Sequence, residues 1–347
     1  MPSIVSAVTG TPKSAYANEE ILRYGGQWLE QNKALSMLFE RFLGSSHTRQ
    51  RYFCIHPSKL LELGSLSERA ALFSEYGVPL AQEVLLESLG ASGIGAAEIG
   101  SYIFTSCTIP LIPSLDALLV EASGMSRDVK RLPVYQHGCC AGIVGLATAC
   151  NMAQFGRPVV LTSLELCSLV FQPGDMTMGH LVGSAIFGDG TASVVVSPED
   201  RGFTYVDSMS WLVPGSRHLM GYDLLDDGPH LRLDKELPYE LEKVAPGVVA
   251  DFLERIGWEA SEVQHWLIHP GGSKILNMLE QGLNLSREQT HYAWDVLEEC
   301  GNMSSATILF VLSRHLEKSD LKPGDKTVVL GIGPGITIEL VAFESRP

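Results

Sequence analysis

Apolar residues fall in short blocks whose period changes along the chain, and Gly and Pro mark where one block gives way to the next. Residues 131–136 (RLPVYQ) predict a short strand, and residues 139–153 are almost entirely small or apolar. A helix of that composition is buried on every side. Gly156 and Pro158 stop it, and residues 158–166 (PVVLTSLEL) predict the next strand. The second half repeats this grammar. Residues 265–269 (HWLIH) predict a strand, Pro270-Gly271-Gly272 a turn, and residues 273–283 a helix with Ile275, Leu276 and Leu279 on one face. Residues 303–316 predict another apolar helix after Gly301-Asn302. Residues 327–330 and 336–343 predict adjacent strands joined by the loop Gly331-Ile332-Gly333-Pro334-Gly335. Strands alternating with helices predict an α/β fold, divided into halves at 1–198 and 199–347.

Composition narrows the class. With 45% hydrophobic and 19% charged residues, the 347-residue chain can bury a sizeable core. A net charge of −15 argues against nucleic acid or an anionic membrane as the main partner. It leaves room for an anionic small molecule met by a local basic cluster, such as residues 41–51 (RFLGSSHTRQR). The first residues carry no basic run followed by an apolar stretch, and no apolar run reaches membrane-spanning length. The seven cysteines show neither a CxxC pair nor a zinc-like spacing with histidine, which favours free thiols. These features together predict a soluble cytoplasmic protein.

Two cysteines stand side by side in His137-Gly138-Cys139-Cys140-Ala141-Gly142, at a strand-to-helix turn. A thiol is a nucleophile as its thiolate, and a helix N-terminus or an imidazolium promotes that form. Cys139 follows the glycine at the bend; Cys140 starts the helix and points about 100° away. Most Cys-Cys pairs among Ala and Gly are core. His269, at a predicted strand end, and Asn302, before an apolar helix, alter that balance. Together the three can form a thiolate–imidazolium pair and an amide donor to an oxyanion. Asn302 also suits a plain N-cap, and His137 competes as partner although its place before the turn aims it away.

The stretches HGCCAG, FGDG (187–190), HPGG (269–272), GNMSSA (301–306) and GIGPG (331–335) resemble, in order and over the whole chain, the chalcone synthase-like type III polyketide synthases. That resemblance implies a thiolase-like, duplicated five-layered α-β-α-β-α fold and a homodimer. It implies Cys139 as acyl-accepting nucleophile, His269 and Asn302 as its catalytic partners, and Cys140 as packing. Phe187 matches the residue between the coenzyme A tunnel and the cavity, while Gly271, Gly272 and Ser304 fall in substrate-contacting motifs. The implied reaction loads an acyl-CoA starter on Cys139 and extends it with malonyl-CoA, using neither metal nor cofactor.

Several positions depart from the family. Arg41 matches one basic residue used for coenzyme A phosphates, but Leu38 and Ser45 replace two lysines. Arg49, Arg51 and Lys274 are the possible substitutes. Along the cavity wall Cys107 and Val170 stand for threonines, Ile112 for a methionine, Leu231 for a phenylalanine and Tyr222 for a glycine. A more apolar wall, with residues 217–223 (RHLMGYD) resembling bacterial alkylpyrone and alkylresorcinol synthases, favours a fatty acyl-CoA starter and a pyrone or resorcinol product. The alternatives are a β-ketoacyl-ACP synthase III-like condensing enzyme, a cysteine hydrolase, and a non-catalytic protein of the same fold.

Overall fold

The computed structural model describes residues 1–346. Strand β1 (Ser3–Gly10) is followed by a short ribbon of β2 (Ala15–Ala17) with β3 (Gln50–Tyr52). Next come β4 (Ser101–Thr105), β5 (Lys130–Val134), β6 (Val159–Leu166) and β7 (Asp189–Ser197). The second half contributes β8 (Phe203–Leu212), the hairpin β9 (Met220–Leu225) and β10 (Gly228–Leu233), then β11 (Val263–Ile268), β12 (Lys326–Gly333) and β13 (Thr337–Ser345).

Nine strands form one mixed sheet in the order β11-β12-β13-β8-β1-β7-β6-β4-β5. Each half pairs parallel at its outer edge (β4 with β5 and β6; β11 with β12) and antiparallel towards the middle. The halves meet where β1 pairs with β8, through Ser3 opposite Thr204 and Ile4 opposite Phe203. Twist lets this one sheet supply two layers. Between them lie the helices Ala141–Ala153 and Thr307–Lys318, which pack on each other and on strands of both halves. The helix Leu66–Ser92 covers β1, β6 and β7 on one outside, and Leu237–Ile256 covers β8 and β13 on the other. This is the thiolase-like five-layered α-β-α-β-α arrangement. The near-absence of polar side chains in residues 139–153 follows from this: most of the middle-layer helix is buried, and its polar residues Thr148 and Asn151 fall among the positions left open.

Two boundaries differ from the sequence reading. A 3-10 turn, Ser304–Ala306, precedes the helix Thr307–Lys318, so the segment after Asn302 is not helical from its start. The GIGPG segment is not a loop throughout. Strand β12 runs to Gly333, with Gly331 opposite Glu339 and Gly333 opposite Thr337, and only residues 334–336 turn. Gly333 answers to close packing: a Cβ there would stand 2.1 Å from Cys140 Sγ.

Candidate active site

Cys139 lies in the 3-10 turn Gly138–Cys140 that feeds the central helix Ala141–Ala153. The turn needs Gly138, whose φ is +57° and whose missing Cβ would stand 2.4 Å from Pro334 Cγ. Cys139 is half-buried, and its Sγ accepts a hydrogen bond from Ser304 Oγ at 3.5 Å. Burial raises its pKa to about 11, with the Ser304 hydroxyl acting in the opposite direction and nearby Glu165 adding to the rise. Cys140 is buried, donates from Sγ to the His137 carbonyl at 3.0 Å, and is part of the packing. His137 is exposed.

His269 continues the ladder past β11, its N–H donating to Leu330 O at 2.8 Å and its carbonyl accepting from Gly271 N at 2.9 Å. Its ring is buried, and neither ring nitrogen has a hydrogen-bond partner among the described residues. Burial lowers its pKa to about 4. Burial thus works against the charged forms of both Cys139 and His269, a cost that a thiolate–imidazolium pair would have to offset. The physical reason is desolvation: a dry pocket penalises both charged forms.

Asn302 is held by its backbone in a parallel bridge with Phe187, donating to Ile186 O at 2.8 Å and accepting from Gly188 N at 3.0 Å. Its side-chain Oδ1 accepts from Ser304 N at 2.8 Å and from Thr307 Oγ1 at 3.2 Å. Its Nδ2 donates to Gly271 O at 3.2 Å. Asn302 thus caps the turn and also presents an amide donor beside the His269 loop. Hydrogen bonds connect Cys139 to Ser304, Ser304 to Asn302, Asn302 to Gly271 and Gly271 to His269. The three chemical candidates, 163 positions apart at the extremes, belong to one network.

The wall residues divide. Phe187, Val170, Tyr222 and Leu231 line an apolar cleft of about 740 Å³, counting its opening to solvent, with Trp28, Phe39 and Leu60 further along. Cys107 is corrected: it does not simply remove a hydroxyl, because its Sγ stands 3.1 Å from Ser304 Oγ. Ile112 is fully exposed, between Pro110 and Pro113, and is not among the residues lining that cleft. Arg41 and Arg49 are exposed near the same helix end, whereas Arg51 is buried and donates to Ser184 O and Asn18 Oδ1. Arg51 is therefore no surface phosphate contact. Gly272 precedes the helix Ser273–Gly282, and exposed Lys274 rests its ammonium 5.3 Å from the Tyr239 ring.

Glu165 escaped the sequence reading. It is fully buried on β6, accepts from Cys107 N at 3.1 Å through both oxygens, and accepts from the Ser305 hydroxyl. Burial raises its pKa to about 7. The available signal was one acid inside the otherwise apolar stretch PVVLTSLEL. Among the described residues no helix is long and apolar enough to cross a membrane, and no cluster of three or more His, Cys, Asp or Glu could hold a metal.

A nucleophile at the start of a central helix, linked through a chain of hydrogen bonds to an asparagine and a histidine from the other half of a thiolase-like fold, is suited to acyl-transfer chemistry. The chain belongs to the chalcone and stilbene synthases: that family's N-terminal domain matches residues 11–200 and its C-terminal domain residues 205–347. It is 32% identical over 348 residues to a 1,3,6,8-tetrahydroxynaphthalene synthase of Streptomyces peucetius subsp. caesius, covering 98% of this chain and 92% of that one. It is 31% identical to the alpha-pyrone synthesis polyketide synthase-like Pks18 of Mycobacterium tuberculosis, over 82% of this chain and 74% of that one. The solved 1,3,6,8-tetrahydroxynaphthalene synthase of Streptomyces coelicolor A3(2), a bacterial type III polyketide synthase, superposes with a TM-score of 0.95 at 26% identity, covering 99% of each chain. The chain is accordingly a type III polyketide synthase, an enzyme of decarboxylative Claisen condensation. Membership sets aside the β-ketoacyl-ACP synthase III, hydrolase and non-catalytic alternatives.

Proposed function

We propose that this synthase extends a fatty acyl-CoA starter with malonyl-CoA and releases a pyrone or resorcinol-type product. The observation that carries the starter class is the cleft behind Phe187, walled by Val170, Leu231, Trp28, Phe39 and Leu60, a surface suited to an alkyl chain. The similarity to an alpha-pyrone polyketide synthase supports the product class.

In this reading Cys139 takes the acyl group, and its proton leaves with the coenzyme A thiol. Malonyl-CoA then places its thioester oxygen against neutral His269 and the Asn302 amide. Carbon dioxide departs, the electron pair of the broken bond passes into an enolate, and both donors stabilise the oxyanion without carrying charge themselves. The enolate carbon attacks the Cys139 thioester and expels the thiolate. The low-polarity surroundings keep water from the intermediates. No metal or cofactor is assigned a step. Arg41 and Lys274 are assigned to the coenzyme A phosphates. A homodimer gives outward-facing Ile112 a role, since it can then close the partner's cavity.

Product analysis by mass spectrometry tests the reading, comparing dodecanoyl-CoA, benzoyl-CoA and malonyl-CoA alone as starters. Alkylpyrones or alkylresorcinols from the dodecanoyl reaction support it. Efficient product from malonyl-CoA alone, with dodecanoyl-CoA inert, overturns the starter assignment.

A further inference from the structure

One wall of the cleft is tied down from behind by a histidine. Leu231 on β10 and Tyr222 on β9 are register partners, and both line the cleft. Side chains alternate along a strand, so His230 and its partner Asp223 stand on the opposite face of the hairpin. There each ring nitrogen of His230 meets a carboxylate: Nδ1 stands 2.9 Å from Asp175 Oδ2, and Nε2 2.8 Å from Asp227 Oδ1. An ionised carboxylate only accepts, so both nitrogens donate and the ring is an imidazolium. Asp227 belongs to the hairpin's own turn, whereas Asp175 comes from elsewhere. It is buried in the segment that joins the wall residues Val170 and Phe171 to the helix Met178–Ile186, and its Oδ1 accepts from Thr177 N at 2.9 Å. Gln172 of that segment adds a second tie, donating from Nε2 to Asp227 O at 3.3 Å and Pro229 O at 3.4 Å. Buried Arg69 fixes the segment in turn, donating to Leu169 O, Phe171 O and Gln172 Oε1.

We propose that His230 is a positioning residue for starter selection: its charged ring latches the β9–β10 hairpin to the segment carrying Asp175, and so sets the width of the cleft beside Leu231 and Tyr222. The inference deepens the starter reading above and rests on its placing the acyl chain in that cleft. The fit on the cleft side is close enough for a small shift to matter. A Cβ on Gly183 would stand 2.6 Å from Leu231 Cδ2 and 3.1 Å from Phe187 Cε2, so movement of the hairpin reaches the cleft directly. The two histidines of this region take opposite states. His180 lines the cleft, its ring centroid 5.5 Å from that of Trp28 and 5.1 Å from that of Phe171, and burial lowers its pKa to about 4. At His230 burial also opposes the charge, but the bonds to Asp227 and Asp175 outweigh it and raise the pKa. The other charged or titratable groups around it are Asp223 with its partner Arg232, Asp226 next to Asp227, and, further off, His180 and Arg69. The latch is therefore complete below the ordinary histidine value of 6.5 and opens as pH rises through the raised one.

Two measurements on the full chain test the latch. The first is hydrogen–deuterium exchange of the hairpin peptide, Met220 to Leu233, at about pH 6 and about pH 9, corrected for intrinsic rates. Protection in the parent falls roughly 5- to 30-fold at the higher pH, the scale of a lost charged hydrogen bond. In His230→Ala it is low at both values, and in His230→Arg, which keeps a charged donor, it stays high at both. The second is loading of Cys139 by acetyl-, hexanoyl-, dodecanoyl- and benzoyl-CoA without malonyl-CoA, followed by intact mass spectrometry. In His230→Ala the ratio of the best-loaded to the worst-loaded starter shrinks roughly 5- to 30-fold, and His230→Arg restores much of it. Unchanged exchange in His230→Ala overturns the latch. Unchanged loading ratios beside lost protection overturn its part in starter selection. Should His230→Ala fail to fold, Asp227→Asn, at an exposed position, must lower the pH at which protection is lost, and an unmoved value overturns the proposal. A parent that loads acetyl-CoA and leaves dodecanoyl-CoA untouched counts against the fatty starter and not against the latch.

Discussion

Asn302 Nδ2 donates across 3.2 Å to Gly271 O, tying the turn before the second central helix to the loop that follows His269. The same side chain accepts from Ser304 N, so one carboxamide braces both the histidine loop and the serine beside Cys139. Asn302→Ala is expected to reduce carbon dioxide release from malonyl-CoA by roughly 100- to 1,000-fold, the scale of a lost oxyanion donor. Asn302→Asp keeps the acceptor for Ser304 but sets a carboxylate oxygen against the Gly271 carbonyl, and should rescue little.

The two adjacent cysteines separate by packing. Cys139→Ala abolishes chain extension, whereas Cys140→Ala retains most of it, as a product assay would show. Gly333→Ala drives a methyl into Cys140 Sγ and destabilises by about 1–3 kcal/mol. Cys140→Ala in the same chain recovers part of that loss, because the Sγ clash at 2.1 Å disappears while a Cβ contact at 2.8 Å stays. Urea unfolding of the four combinations measures the coupling.

The pH dependence of decarboxylation should be flat where histidine usually titrates. His269 has its pKa lowered to about 4 by burial, so it is neutral, and a donor, from about pH 5 upward. Carbon dioxide release between pH 5.5 and 8 tests this. A step near pH 6.5 that vanishes in His269→Gln would show the imidazole to be hydrated and charged in the working enzyme.

Two buried acids contribute stability that fades as pH rises through the weakly acidic range. Glu165 and Glu339 are buried, with pKa values raised to about 7, while the unfolded chain releases these protons near 4.5. At these two sites the folded state binds more protons between those values, so their contribution is full below about 4.5 and lost as pH rises through about 7. Buried His180, His269 and His315, with lowered pKa values, pull the other way. Glu339→Gln, which keeps an acceptor for Ser210 Oγ, isolates one contribution: its stability relative to the parent should rise from about pH 4.5 to about pH 8 in thermal unfolding.

Much of the architecture was legible because alternating strands and apolar helices leave a local signature. The composition of residues 139–153 foretold a helix buried on every side, which the structure meets except around Asn151, and Gly and Pro marked the ends where Cys139, His269 and Asn302 stand. What was missed depends on contacts between distant residues. Gly331 and Gly333 looked like a loop because their reason for being glycine is a neighbour nearly 200 positions earlier: Ile143 for one, Cys140 for the other. Cys107 looked apolar because Ser304 is absent from its local sequence. Glu165 was hidden by the rule that a strand this apolar carries no buried acid, whose exceptions require donors supplied by other segments. Ile112 was assigned to a cavity wall by likeness, while its own chain leaves it in solvent.

The seam at β1 and β8 has a consequence for synthesis. Strand β1 is made first among the described strands, yet both of its partners, β7 and β8, lie between residues 189 and 212. Until the ribosome has delivered them, an apolar segment stays unmatched in the nascent protein. Pairing of β1 must therefore come late, after β4, β5 and β6 can already have met, and conditions that slow translation lengthen the interval in which that strand is open to misassociation.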